Sequence, residues 1–206
     1  MQQVPSDFVE VVTVMPDLLV DARYAGTDNF TGQRVPGYES RCLMLTQAAA
    51  QALHAVQLAV AGDGLSLKVF DAYRPQRAVD FFLQWTRSSD DLRLKAAYYP
   101  AINKAELFAL GYLVQHSSHS RGSTVDLTLV NTSTGVELDM GTNFDFFDER
   151  SRPDSMAVTD EQRKHRLLLS TLMMQQGFVP LEAEWWHFTL RDEPYPQTYF
   201  DFVCCC

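Results

Sequence analysis

Ser117-Ser-His-Ser-Arg-Gly-Ser-Thr-Val-Asp-Leu-Thr-Leu129 sets a polar, histidine-bearing loop against the start of an apolar strand. Thr124 to Val130 has the β-branched and aliphatic composition of a strand. Side chains alternate along it, so Asp126 and Thr128 share one face while Val125, Leu127 and Leu129 take the other. An Asp in such a strand is costly to bury unless it is paired or bound to a cation. Gly122, between His119 and Asp126, lets the backbone bend so that both side chains can converge.

The rest of the fold is read outward from this strand. Leu65-Ser-Leu-Lys-Val-Phe70 alternates strictly, which predicts another strand, and it runs into Asp71-Ala-Tyr-Arg-Pro75. Pro75 suits a first helical turn and opens a helix to about Trp85. Upstream, Thr46 to Ala61 has helical spacing and stops at Gly62. Phe8 to Val20 alternates loosely, as one or two strands would, and residues 24–32 read as a loop. Residues 86–122 are polar and turn-rich, with a short helix predicted around Ala101 to Leu110. Residues 131–158 form a long loop with six acidic residues, a length that is usually functional or mobile. Thr159 caps a helix to about Gln176, with Asp160 and Glu161 in its first turn and Gly177 at its end. Glu184 to Leu190 is a final aromatic strand. Hairpin-like neighbours outnumber βαβ units, so the expected class is α+β. One domain, residues 1–203, has a mostly antiparallel central sheet with packed helices, followed by a tail, Cys204–Cys206.

The chain's 206 residues, 46% of them hydrophobic, suffice for a sizeable core without disulfide staples. A net charge of -9 repels phosphate backbones, so no nucleic-acid partner is expected. Cys42 and three terminal cysteines do not read as a disulfide framework. No signal peptide is read in the N-terminal MQQVPSDFVEVV, and no apolar run is long enough to cross a membrane. These features point to the cytoplasm and to no membrane partner; homo-oligomerisation is left open.

The chemistry centres on His119, Asp126 and His187, the last within Glu184-Trp-Trp-His187. His, Asp and His suit one Zn²⁺ per chain with an open coordination position. A water there has its pKa lowered toward neutrality, and a neighbouring carboxylate can take its proton. Glu184 is the candidate base. On a regular strand, residues three apart face opposite ways, so a bulge or the strand's start must lie here if both reach one site. Arg74, just past the Leu65–Phe70 strand, is placed to stabilise an oxyanion.

Taken together, Ser117 to Leu129, Asp71 to Pro75 and Glu184-Trp-Trp-His-Phe188 resemble the D-alanyl-D-alanine dipeptidases of vancomycin-resistance type, a branch of the zinc D-Ala-D-Ala peptidases. The resemblance runs through nearly the whole chain. It implies zinc ligands at His119, Asp126 and His187, a base at Glu184 and a transition-state arginine at Arg74. It also implies substrate contacts at Asp145, for the free ammonium, and at Ser117 and Tyr24. The implied reaction is zinc-dependent hydrolysis of the small-molecule substrate D-Ala-D-Ala to two D-Ala, which would serve glycopeptide resistance or D-Ala salvage. Such a dipeptidase is expected to have a small, closed cavity, walled in part by the 131–158 loop. The competing readings are a D,D-carboxypeptidase or cell-wall endopeptidase of the same superfamily, a non-catalytic zinc-stabilised binding domain, and a pair of core histidines without zinc.

Overall fold

The computed structural model describes residues 3–88 and 92–204. In chain order its regular elements are β1 (Phe8–Glu10), α1 (Val11–Val14), β2 (Leu19–Val20), β3 (Met44–Thr46), α2 (Gln47–Ala61), β4 (Leu65–Asp71), α3 (Gln76–Arg87), α4 (Lys95–Tyr98), β5 (Thr124–Asn131), α5 (Asp160–Gln175), β6 (Phe178–Leu181) and β7 (Glu184–Leu190). Five strands form the central sheet in the order β2-β4-β5-β7-β6, and β1 and β3 make a separate pair. The contacts β4–β5, β5–β7 and β6–β7 are antiparallel, and β2 joins β4 in parallel.

The fold is of the expected α+β class, with a mostly antiparallel central sheet and packed helices. Leu67, Val69, Val125, Leu127 and Leu129 are completely buried in its centre. Helix α2 packs on β4, helix α5 packs on β6 and β7, and the two helices touch. Thr46 caps α2 by accepting from the Ala49 amide. Thr159 and Gln162 form a reciprocal capping box on α5. Among the described residues, no helix is long and apolar enough to cross a membrane.

The structure corrects several local expectations. The Phe8–Val20 stretch is interrupted by α1. The helix expected near Ala101–Leu110 is only a 3-10 turn, Lys104–Glu106, and the α-helical turn of that region comes earlier, at α4. Tyr24, in the stretch read as a loop, is buried within a 3-10 turn, Arg23–Ala25.

Cys204, expected in a tail, is buried and bridges to Tyr38. It belongs to a second apolar cluster with Phe8, Tyr73, Phe200 and Phe202. Cys205 and Cys206 lie outside the described residues. Cys42 is disulfide-bonded, so cysteine usage gives no argument for a reducing compartment.

Gly122 makes the bend before β5 with φ 85°, in the left-handed region. A Cβ there would meet Phe8 Cζ at 2.2 Å and Thr46 Cγ2 at 3.3 Å. Gly122→Ala therefore combines a backbone cost of about 1–2 kcal/mol with an overpacking cost of about 1–3 kcal/mol. Denaturant unfolding should show the variant less stable by roughly that sum.

Candidate metal centre

Three neighbouring strands carry the site in one row. Asp71 of β4 lies opposite Asp126 of β5, and Asp126 lies opposite His187 of β7. A register shift between Val69 and Asp71 turns the end of β4. A second shift, between Pro180 and Leu181, disturbs the β6–β7 ladder where Glu184 begins β7. This supplies the irregularity that E-x-x-H needs on a strand. Glu184 Oε2 accordingly lies 3.7 Å from His187 Nδ1.

His119 sits in the 3-10 turn Ser118–Arg121, whose N-cap Ser117 accepts from the His119 amide at 3.3 Å. Its Nδ1 is 2.7 Å from the Ala72 carbonyl, which accepts only if Nδ1 carries the proton. Nε2 is then left with a lone pair. That atom lies 3.2 Å from His187 Nδ1 and 3.2 Å from Asp126 Oδ2. His187 Nδ1 lies 3.1 Å from Asp126 Oδ1, and its other nitrogen is 3.2 Å from Ser118 Oγ. One ligand atom from each of the three residues falls within 4.8 Å of the others.

The donor set fits a cation. Asp126 is buried, and its Oδ1 makes no hydrogen bond despite the nearby His187 nitrogen. Burial pushes the Asp126 carboxyl up, but His119 and His187 outweigh it and hold it well below the usual carboxylate range. A buried carboxylate and two imidazole nitrogens converging on one point form a donor set that Zn²⁺ would fit.

Arg74 and two further carboxylates surround this cluster. Asp71 is fully buried and accepts from Arg74 Nε at 2.9 Å and from the Tyr38 hydroxyl at 2.7 Å. Arg74 also reaches to 3.6 Å from Asp126 Oδ2, its guanidinium lying over the rings of Tyr24 and Phe82. Burial pushes Glu184 up to about 8, with Asp126 and Asp145 adding to the rise and His187 and Arg74 opposing it. Burial and the Asp126 charge likewise push Asp145 up to about 8, against the hydrogen bond from Tyr24 and the Arg74 charge. A divalent cation in the cluster acts against both elevations.

Asp145 is the one non-glycine residue with positive φ, at 60°, among the described residues. Asp tolerates this region better than bulkier residues do. Its neighbours fix the turn: Phe144 stacks on Phe70 at 4.8 Å, and the Phe147 amide donates to the Tyr98 carbonyl. Tyr24 donates to Asp145 Oδ2 at 2.8 Å.

The three expected metal ligands, Glu184, Arg74, Asp145, Ser117 and Tyr24 all line one cavity of about 290 Å³. Phe147, from the 131–158 loop, also lines it, and so does the stretch from Gly111 to Val114, which was not foreseen. His116 lies at its edge beside Tyr199, whereas His165 bonds to the Asp139 carbonyl. Sequence reasoning missed the parts played by Asp71, Tyr38 and the Ala72 carbonyl. Asp71 stands within the quoted Asp71–Pro75 motif, and its position in a buried strand was a usable signal.

Converging metal-ligand atoms beside the Glu184 carboxylate and an Arg74 guanidinium clamped by Asp71 define the class as a metal-dependent hydrolase. Residues 5–204 match the model of the D-Ala-D-Ala dipeptidase family of peptidases, and the chain belongs to that family. It is 47% identical to a D-alanyl-D-alanine dipeptidase of Enterococcus faecalis over 89% of this chain and 91% of the relative. It is 43% identical to the enzyme of that description from Streptomyces coelicolor, over 95% and 97% of the two chains. The corresponding protein of Escherichia coli is 32% identical over 97% of this chain and 93% of its own. A crystallised vancomycin-resistance D,D-pentapeptidase in complex with Zn(II) aligns with 72% of this chain and 74% of its own, at 14% identity and a TM-score of 0.39.

Proposed function

We propose that this protein hydrolyses D-Ala-D-Ala to two D-Ala, with one Zn²⁺ held by His119, Asp126 and His187. The convergence of one ligand atom each from His119, Asp126 and His187 within 4.8 Å carries the reading. When bound, Zn²⁺ polarises the scissile carbonyl and lowers the pKa of the attacking water. Glu184, lining the cavity 3.7 Å from His187, takes the water's proton and passes it to the departing amine. Arg74, clamped by Asp71, donates to the oxygen on which negative charge develops.

Asp145 takes the substrate ammonium. Burial and the Asp126 charge raise the Asp145 carboxyl to about 8, and an arriving ammonium would favour its ionised form. Tyr24 acts through this carboxylate, its hydroxyl being directed at Asp145. Ser117 borders the substrate while capping the His119 turn. Consumption of the dipeptide would limit the supply of a cell-wall terminus, in glycopeptide resistance, or would recover D-Ala. A cytoplasmic site of action goes with that substrate, since a free dipeptide is a precursor and not part of the finished wall.

The test presents zinc-loaded protein with D-Ala-D-Ala, its N-acetyl derivative and a longer peptide ending in D-Ala-D-Ala, and follows release of D-Ala. The free dipeptide should be cleaved at least about 100-fold more efficiently than either competitor, the scale on which a buried charged group left unpaired is rejected. Comparable cleavage of the blocked or longer substrate would exclude the dipeptidase reading.

A further inference from the structure

Arg166 of α5 is 1% exposed, yet it does not line the cavity. A buried guanidinium needs partners, and here they are backbone carbonyls. Nε donates to Met140 O at 2.7 Å, and one terminal nitrogen donates to Arg150 O at 2.8 Å and Arg152 O at 2.7 Å. These carbonyls belong to both limbs of the segment that carries Asp145 at its turn.

The same helix face holds that segment elsewhere. Gln162 donates to Asp139 Oδ2, and the His165 ring bonds to Asp139 O, both at 2.8 Å. Residues 162, 165 and 166 fall on one helix face. Gly141 is pressed so close to Gln162 and Val158 that a Cβ would lie 2.8 Å from each.

A hydroxyl relay ties the segment to the catalytic strand. Trp185, next to Glu184 on β7, donates to Thr142 Oγ1 at 2.9 Å, and Thr142 Oγ1 is 3.0 Å from Ser151 Oγ. Ser151 in turn donates to Phe146 O at 2.6 Å, one residue beyond Asp145. Arg166 reaches Thr142 Oγ1 at 3.5 Å.

We propose that Arg166, acting with Thr142, is a positioning residue that sets the place of Asp145 relative to the metal-bearing strands and thereby fixes the preference for a free amino group. The proposal rests on the reading that Asp145 takes the substrate ammonium. A strained Asp at φ 60° keeps its aim only if the segment on each side is fixed. Arg166 fixes both sides from outside the cavity.

The experiment measures KM and kcat for D-Ala-D-Ala and the inhibition constant of N-propionyl-D-Ala, the same molecule without its amine. Arg166→Met is expected to raise KM for D-Ala-D-Ala by about 10- to 100-fold, the scale for loss of a residue that orients a binding group. It should leave the inhibition constant of the amine-free compound and the zinc content nearly unchanged. Arg166→Lys, which can still donate to carbonyls, should restore part of the loss. A loss of kcat alone, or equal weakening of both compounds, would mean a purely structural role and overturn the proposal.

Asp145→Asn is measured in parallel. If it changes the ratio of the two constants while Arg166→Met does not, the proposal fails and the ammonium reading stands. If Asp145→Asn leaves the ratio unchanged, the ammonium reading fails and the proposal falls with it. Should Arg166→Met not fold, Thr142→Val removes the link to Trp185 and Ser151 and is held to the same outcomes.

Discussion

Glu184→Gln is expected to lower kcat on D-Ala-D-Ala by about 10²–10⁴-fold, the usual contribution of a positioned general base, equivalent to about 3–5 kcal/mol of transition-state stabilisation. Gln keeps the volume and a hydrogen-bonding oxygen but cannot accept the water's proton. Zinc content should be unchanged, because Glu184 borders the ligand cluster without belonging to it. Stability should not fall. Burial disfavours the ionised form of Glu184 and raises its carboxyl to about 8. A neutral amide removes that cost, so the metal-free variant should unfold at the wild-type temperature or above it. Steady-state kinetics, metal analysis and thermal unfolding separate these effects. Near-wild-type kcat would exclude Glu184 as the base.

Asp126→Ala has a still larger expected effect on zinc. Loss of a residue that merely orients a metal ligand typically costs about 10–100-fold in affinity; loss of the only anionic ligand should exceed that. Hydrolysis should fall to background at stoichiometric zinc. Asp126 is also the nearest negative charge to both histidines, at 3.1 and 3.2 Å, so its removal leaves two neutral imidazoles to hold a dication. Thermal unfolding with and without zinc gives an independent reading. Wild-type protein should be stabilised by added zinc, since a ligand bound only by the folded state raises its stability. The variant should not respond at the same zinc concentration.

Local pattern carried much of the fold. The strand at Leu65–Phe70, the Thr159 cap and the strand from Thr124 are all present as read, while Thr46, read as the first helical residue, proves to be the N-cap of α2. Their signals are contained within a few residues. Strand β6 was not foreseen because it contains Pro180, which removes a ladder donor; as the sheet's edge strand it can accommodate that loss. The two-residue β2 is too short to show a period, and its parallel pairing with β4 is a long-range event.

The site was legible where polar residues stood against an apolar background. Asp126 in Val-Asp-Leu-Thr-Leu is such a case; E-x-x-H and the strand end before Arg74 supplied others, and the family resemblance supplied Asp145, Ser117 and Tyr24. The alignment of Asp71, Asp126 and His187 across three strands depends on the pairing register of distant segments, which no local spacing encodes. The Ala72 carbonyl that orients His119 has no side-chain signature at all. Arg166 lies among charged residues in α5 and reads as a solvated helix position, although it is 1% exposed. Its burial follows from the segment folded over it.

Titration of metal-stripped protein with Zn²⁺, with the initial rate of D-Ala release followed, bears most directly on the central claim that His119, Asp126 and His187 hold the single catalytic metal. The rate should climb from background in proportion to added zinc and level off at one equivalent per chain. Full activity in the metal-stripped protein, or the same titration curve from Asp126→Ala, would contradict it.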